Sequence, residues 1–147
     1  MPMRPALMLA ALGMTLAAMP VSAKEIVVHM KNVGADGAMV FEPAFVKAAP
    51  GDVIHFEPTD AAHNAETIPS LLPAGATAFK GVMGKDVSVT VGKPGLYGVK
   101  CMPHYTMGMV ALIQVGKVAP ADLAAARAVK LPPMAQKRMT PLLDKVK

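Results

Sequence analysis

Cysteine occurs once in the 147 residues, at Cys101, so no disulfide can close within a single chain. That scarcity excludes more than a disulfide framework. A structural zinc site draws on four strong ligands, typically several thiolates, and haem attachment needs C-x-x-C-H, which the sequence lacks. Lys and Arg number 15 against 10 Asp and Glu, yet no Lys/Arg run forms the basic stripe that holds a nucleic acid. No internal repeat and no low-complexity tract is present. Past the N-terminus no apolar stretch approaches the roughly 18–20 residues that span a bilayer.

What is present starts with an export pattern. Arg4 opens the chain, an apolar run from Ala6 to Ala18 follows, and Pro20, Ser22 and Ala23 supply a break and small residues. This is the pattern of a secretory signal peptide. The sequence therefore predicts a signal peptide over residues 1–23, cleaved near Ala23, and a bacterial periplasm as the destination, with no membrane attachment after cleavage. Without Arg4 the remaining chain carries fourteen basic and ten acidic side chains. A net charge of about +4 suits docking to an acidic protein surface. About 124 residues make one domain with its own core. In an oxidising compartment an unpaired cysteine signals an intermolecular bridge, a reactive thiol or a metal ligand.

From Lys24 to Lys117 the pattern is that of short strands. "KEIVVHMK" alternates Ile26, Val28 and Met30 against Val27, His29 and Lys31. "AMVFEPAFVKA" reads as a second run, with Pro43 marking an edge position or a bulge. "VIHFEP", "DVSVTV", "LYGVK" and "MVALIQVG" follow, separated by Gly/Pro turns. Such spacing predicts an antiparallel sandwich or barrel over residues 24–117. The middle, "PTDAAHNAETIPSLLPAGATAFKG", is too irregular for a strand and reads as a long surface connection. Residues 118–147 change character. Pro120 and Asp122 open one alanine-rich helix, and "PPMAQKRMTPLLDKVK" offers a second that Pro141 should kink or restart. Both are too short to stand alone, so they are expected to pack on the sandwich.

The chemistry gathers in "VKCMPHYTMGM". Cys101 and His104, with a methionine at 107 or 109, lie on one tight loop that turns a thiolate, an imidazole and a thioether toward a point. A further ligand must come from His29, His55 or His63. His29 and His55 lie within strand patterns, whereas His63 follows a strand in a loop and precedes Asn64, which can brace that loop through side-chain–backbone hydrogen bonds. His63 is the choice, with His55 second. Two imidazoles, one thiolate and a weak axial thioether describe a blue-copper electron-transfer site.

These stretches resemble the cupredoxins, and among them the pseudoazurins. "CMPHYTMGM" is similar to the pseudoazurin ligand loop, and "HMKNVGADGAMVFEPAFVKAAPGD", "HNAE", "GLYGVKC" and the helical tail extend the resemblance over nearly the whole chain after the leader. It implies an eight-stranded Greek-key β-sandwich with two short C-terminal α-helices. It also implies one copper ion, cycling Cu(II)/Cu(I), on His63, Cys101, His104 and Met109, with Met109 rather than Met107 axial. Asn32 and Asn64 match family positions that brace the thiolate or the ligand loop. Met102 stands where threonine is common.

The resemblance further suggests electron exchange with a copper nitrite reductase in denitrification, with c-type cytochromes as donors and the chain acting as a monomer, not as an enzyme. Electrons are expected to pass through His104. Pro103, Met107 and "LLPAG" would form an apolar contact patch ringed by Lys47, Lys80, Lys85, Lys93 and Lys100, of which Lys80 and Lys100 are the leading candidates. Two rival readings are a periplasmic copper carrier, which needs an exchangeable site, and an enzyme using Cys101 as nucleophile. His104 sits on the same tight loop as Cys101 and no oxyanion-hole signature accompanies the pair, which disfavours the enzyme.

Overall fold

Alternation of apolar and polar residues builds the first sheet. The computed structural model describes residues 22–147, so the expected signal peptide lies, apart from Ser22 and Ala23, outside the described residues. Strand β1 (Glu25–Gly34) buries Val28 and Met30 and turns Val27 and His29 away from the core. Strand β4 (Asp52–Pro58) buries Ile54 and Phe56 in the same fashion. With β2 (Gly37–Glu42) and β6 (Val87–Val91) they form a sheet in the order β2-β1-β4-β6. The second sheet runs β3-β8-β7-β5, from β3 (Phe45–Ala48), β5 (Glu66–Thr67), β7 (Gly95–Lys100) and β8 (Val110–Val115). Eight strands in two facing sheets make the expected sandwich.

The structure departs from the sequence expectation first in how the strands run. The run "AMVFEPAFVKA" is not one strand. It ends as β2 at Glu42 and resumes as β3 at Phe45 in the other sheet. Pro43 has no N–H for a ladder, and the chain crosses there, with the Ala44 carbonyl accepting from Leu112 N–H at 2.8 Å. The sheets are also not wholly antiparallel, since β1 pairs with β4 and β3 with β8 in parallel. A strand that crosses to the opposite sheet and back returns beside its neighbour in the same direction.

Strand β8 reads as a continuous apolar run because both of its faces are covered. Ala111, Ile113 and Val115 enter the core between the sheets, while Val110 and Leu112 face the C-terminal helices. Those helices, α1 (Pro120–Ala128) and α2 (Pro133–Leu143), pack Ala126, Ala135, Met139, Leu142 and Leu143 against Ile68, Leu71 and Leu96. Met139 and Leu143 are buried, each contributing about 1.5–3 kcal/mol of apolar burial. Tertiary contact thus supplies what their length does not. Helix α2 runs through Pro141 without restarting and ends two residues later.

The middle segment is not a surface connection along its whole length, and it does hold a strand, the two-residue β5, paired with β7. His63 to Ile68 and Leu71 are buried. Its backbone is satisfied from several sides: Ile68 N–H donates to Gly98 O at 2.8 Å, Gly98 N–H to Leu71 O at 2.7 Å, and Thr67 N–H to Phe79 O at 2.9 Å. Hydrogen bonds to neighbouring strands let an irregular segment lie inside.

Candidate metal centre

Three donor atoms converge at one end of the sandwich. His63 arrives on the loop after β4, while Cys101 and His104 lie on the loop between β7 and β8. Cys101 Sγ stands 3.7 Å from His63 Nδ1 and 3.5 Å from His104 Nδ1, and the two Nδ1 atoms are 3.1 Å apart. All three lie within 4.8 Å of one another. Cys101 and His63 are buried, and His104 is half-buried.

The loop geometry follows from its hydrogen bonds. Cys101 N–H donates to Met109 O at 3.1 Å and Met109 N–H to His104 O at 3.1 Å, closing the loop on itself. A single 3₁₀ turn, Tyr105–Met107, lifts the chain between them and ends on Gly108 at a φ of 90°, the left-handed region that favours glycine. This places Met109 wholly inside, in the same core cluster as Cys101, and leaves Met107 46% exposed.

Braces reach the donors from elsewhere in the chain. His63 Nε2–H donates to Asn32 Oδ1 at 2.8 Å, which fixes the tautomer and leaves Nδ1 as a bare lone pair facing the thiol. Asn64, itself buried, donates through Nδ2 to Glu66 Oε2 at 3.0 Å and Gly81 O at 3.2 Å, and accepts from Met102 N–H at 2.8 Å. It thereby ties the His63 loop to the residue after Cys101. Burial pushes the Cys101 thiol up, opposed in part by the backbone N–H groups of Asn64 and His104. Burial and the neighbouring His104 hold His63 below the usual imidazole range. Both groups therefore rest neutral, poised to meet a cation that would draw the proton from the thiol.

A bare imidazole nitrogen, a second imidazole and a thiol converge in a buried pocket without a carboxylate among them. That donor set fits copper: soft sulfur suits Cu(I), and imidazole serves both oxidation states.

The comparisons agree. Residues 28–116 match the family model of copper binding proteins, plastocyanin/azurin family. The chain is 56% identical over 119 residues to the pseudoazurin of Paracoccus pantotrophus, covering 81% of each protein. The chain belongs to the pseudoazurins. It is also 46% identical over 128 residues to the pseudoazurin of Methylorubrum extorquens, covering 87% of this chain and 86% of that one. A crystal structure of pseudoazurin from Methylobacterium extorquens AM1 superposes with a TM-score of 0.80 at 46% identity, covering 84% of this chain and all of the other. As a pseudoazurin, the protein is a copper-binding electron carrier.

The other residues singled out from the sequence divide by position. His29 and His55 stay away from the centre: His29 Nδ1 lies 3.8 Å from Glu57, and His55 Nδ1 is 2.7 Å from Ser88 Oγ. The Lys80 backbone pairs with that of Glu66 in an isolated antiparallel bridge, and Lys85 N–H donates to Val82 O, beside the turn whose Gly84 N–H donates to His63 O. Lys100 Nζ is 3.5 Å from Glu66 Oε1 and only 18% exposed, so its charge is committed to an ion pair. Lys47 and Lys93 stand at the other end. Lys47 pairs with Gln114, and Lys93 lies beside Gly75 before β7 begins, about 17 Å of strand from the cysteine loop. The "LLPAG" segment is there too, with Leu71 buried and Pro73 against Gly95. Exposed apolar side chains missed by sequence reasoning replace it near the centre: Val33, beside Asn32, and Val82 and Met83, in the turn bonded to His63. Met102 is exposed on the ligand loop itself, next to Pro103. Only an unexplained excess of apolar residues in a turn could have flagged them in the sequence.

Proposed function

We propose that this pseudoazurin is a periplasmic type 1 copper protein in which His63 Nδ1, Cys101 Sγ, His104 Nδ1 and the Met109 thioether would hold one copper ion. The observation that carries the assignment is the convergence of the first three of these donors, with the lone pair of His63 fixed by Asn32. Copper, when bound, supplies a one-electron couple between its cupric and cuprous states. The protein's residues do the rest. Cys101 gives up its proton and holds the negative charge, helped by the N–H groups of Asn64 and His104. Asn32 and Asn64 hold His63 and the loop in place, so little has to rearrange when the charge at the site changes. Burial of Cys101, His63 and Met109 excludes water.

Electrons pass through the half-buried His104, which lies among exposed Val82, Met83, Met102 and Met107. An apolar face of that kind makes a dehydrated contact, and Lys80 and Lys85 steer an acidic partner toward it. The partners are proposed to be a copper nitrite reductase as acceptor and c-type cytochromes as donors, in denitrification, with the protein acting as a monomer after removal of residues 1–23. Residues 24–117 then form the sandwich and 118–147 its helical extension.

The test is a visible absorption spectrum of the mature protein with one equivalent of Cu(II). An intense thiolate-to-copper band, lost in Cys101→Ser and bleached by ascorbate, is expected. A pale solution with only weak copper bands would take Cys101 off the metal and turn the reading to a copper carrier.

A further inference from the structure

Helix α2 does more than cover the second sheet. The guanidinium of Arg138 donates to three carbonyls: Nη1 to Met39 O at 2.7 Å and Gly108 O at 3.2 Å, and Nη2 to Ala38 O at 2.8 Å. Ala38 and Met39 lie on β2, and Met39 is held at a φ of 52°. A Cβ on Gly108 would stand 2.9 Å from the Met134 carbonyl oxygen and 3.0 Å from Arg138 Cδ, so α2 lies directly on the backbone of the ligand loop.

The Gly108 carbonyl and the Met109 N–H belong to one planar peptide unit. Arg138 holds its oxygen, and its N–H donates to His104 O at 3.1 Å. That single plane thus links α2 to the backbone of both His104 and Met109. The 3₁₀ turn of three residues between His104 and Gly108 adds little to that hold, because its own hydrogen-bond geometry is poor.

We propose that Arg138 is a positioning residue for the metal centre, clamping the Gly108–Met109 peptide to the β2 backbone and so fixing where the Met109 side chain enters the site. The inference rests on the assignment of Met109 as a ligand made above. Arginine suits the task because its planar fork presents several donors in fixed directions and keeps its charge at every pH the protein meets. Lysine offers a point charge that cannot hold carbonyls of β2 and of the loop in one plane.

The experiment compares Arg138→Met and Arg138→Lys with Arg127→Met. Arg127 ties α1 to the end of α2, through Asp144 at 2.9 Å and Leu143 O at 3.3 Å, without touching the loop, so its loss loosens the tail alone. Hydrogen exchange in the metal-free proteins is read at the Cys101 and Met109 amides. Arg138→Met is expected to speed both by at least about tenfold and to weaken copper retention about tenfold. Arg138→Lys should recover little, and Arg127→Met should leave both amides protected. In the copper-loaded Arg138 variants the thiolate-to-copper band should also shift. Unchanged exchange in Arg138→Met, full recovery by lysine, or equal loss of protection in Arg127→Met would each overturn the clamp. A wild-type protein without an intense thiolate-to-copper band would instead refute the copper assignment, while the exchange result would still report on the clamp in the metal-free chain.

Discussion

Replacing Asn64 by leucine, which has a similar branched outline but no hydrogen-bonding atoms, removes the link between the two loops that form the metal centre. Three hydrogen bonds disappear, to Glu66 Oε2, Gly81 O and Met102 N–H. Their consequences differ. Met102 is 57% exposed and its N–H can turn to water. Gly81 is buried, and Glu66, at 8% exposure, keeps only Lys100 as a compensating partner. Each buried polar group left without a partner costs about 1–3 kcal/mol, so two of them amount to roughly 2–4 kcal/mol after relaxation. The domain retains a fold, since small proteins hold about 5–15 kcal/mol in all. With an unfolding entropy of about 2.1 cal/mol/K per residue, the midpoint of a domain of about 124 residues should fall by some 8–15 °C. The assay is thermal and urea unfolding of the metal-free protein followed by circular dichroism, alongside copper retention in the presence of a chelator. The loosened Cys101 loop should release copper faster than wild type. A stability loss below about 1 kcal/mol, with copper retained as before, would refute the argument that Asn64 is the joint between the loops.

Two further outcomes are expected. Backbone N–H groups of Lys24 and Ala49 donate to Asp52 at 2.9 and 2.8 Å and hold its carboxyl below the usual aspartate value of 3.8. A depressed native pKa means that the unfolded chain binds more protons. The stabilisation is therefore present above about pH 4 and is lost as pH falls through the native value. The difference in urea midpoint between wild type and Asp52→Asn should shrink on acidification, and a difference constant from about pH 3 to 6 would refute it. The rate of electron exchange with an acidic redox partner should fall as salt rises, with a flatter slope in Lys80→Gln and Lys85→Gln and an unchanged one in Lys93→Gln at the opposite end. A rate indifferent to ionic strength would sink the docking proposal.

Local pattern carried much of this protein's structure in plain view. Period-two alternation placed β1, Gly/Pro turns set off the run that forms β4, Pro120 and Asp122 opened α1, and the spacing of Cys101 and His104 put a thiol and an imidazole on one loop. Such features are legible because strand period, helix caps and tight loops are set by residues a few positions apart. The choice of His63 over His55 also rested on local context, loop against strand, and the structure brings His63 to Cys101 and His104 while leaving His55 on Ser88.

Contacts across long stretches of sequence were not legible. Whether "AMVFEPAFVKA" was one strand or two depended on Pro43 lying where the chain changes sheets. The middle segment looked like surface because it lacks periodicity, yet β7 and the segment's own last residues, 79–81, satisfy its backbone and permit its burial. Which lysines share an end with His104 follows from strand direction: β7 starts just after Lys93 at one end of the sandwich and finishes at Lys100 at the other. Arg138 meets Met39 from 99 residues away, a contact without any local signal. By itself the sequence determined most of the strands, the two helices and the chemistry of the cysteine loop, because those are written in near neighbours. Only the tertiary structure decided what braces that loop and which face surrounds it, because strand order and sheet crossing bring distant residues together.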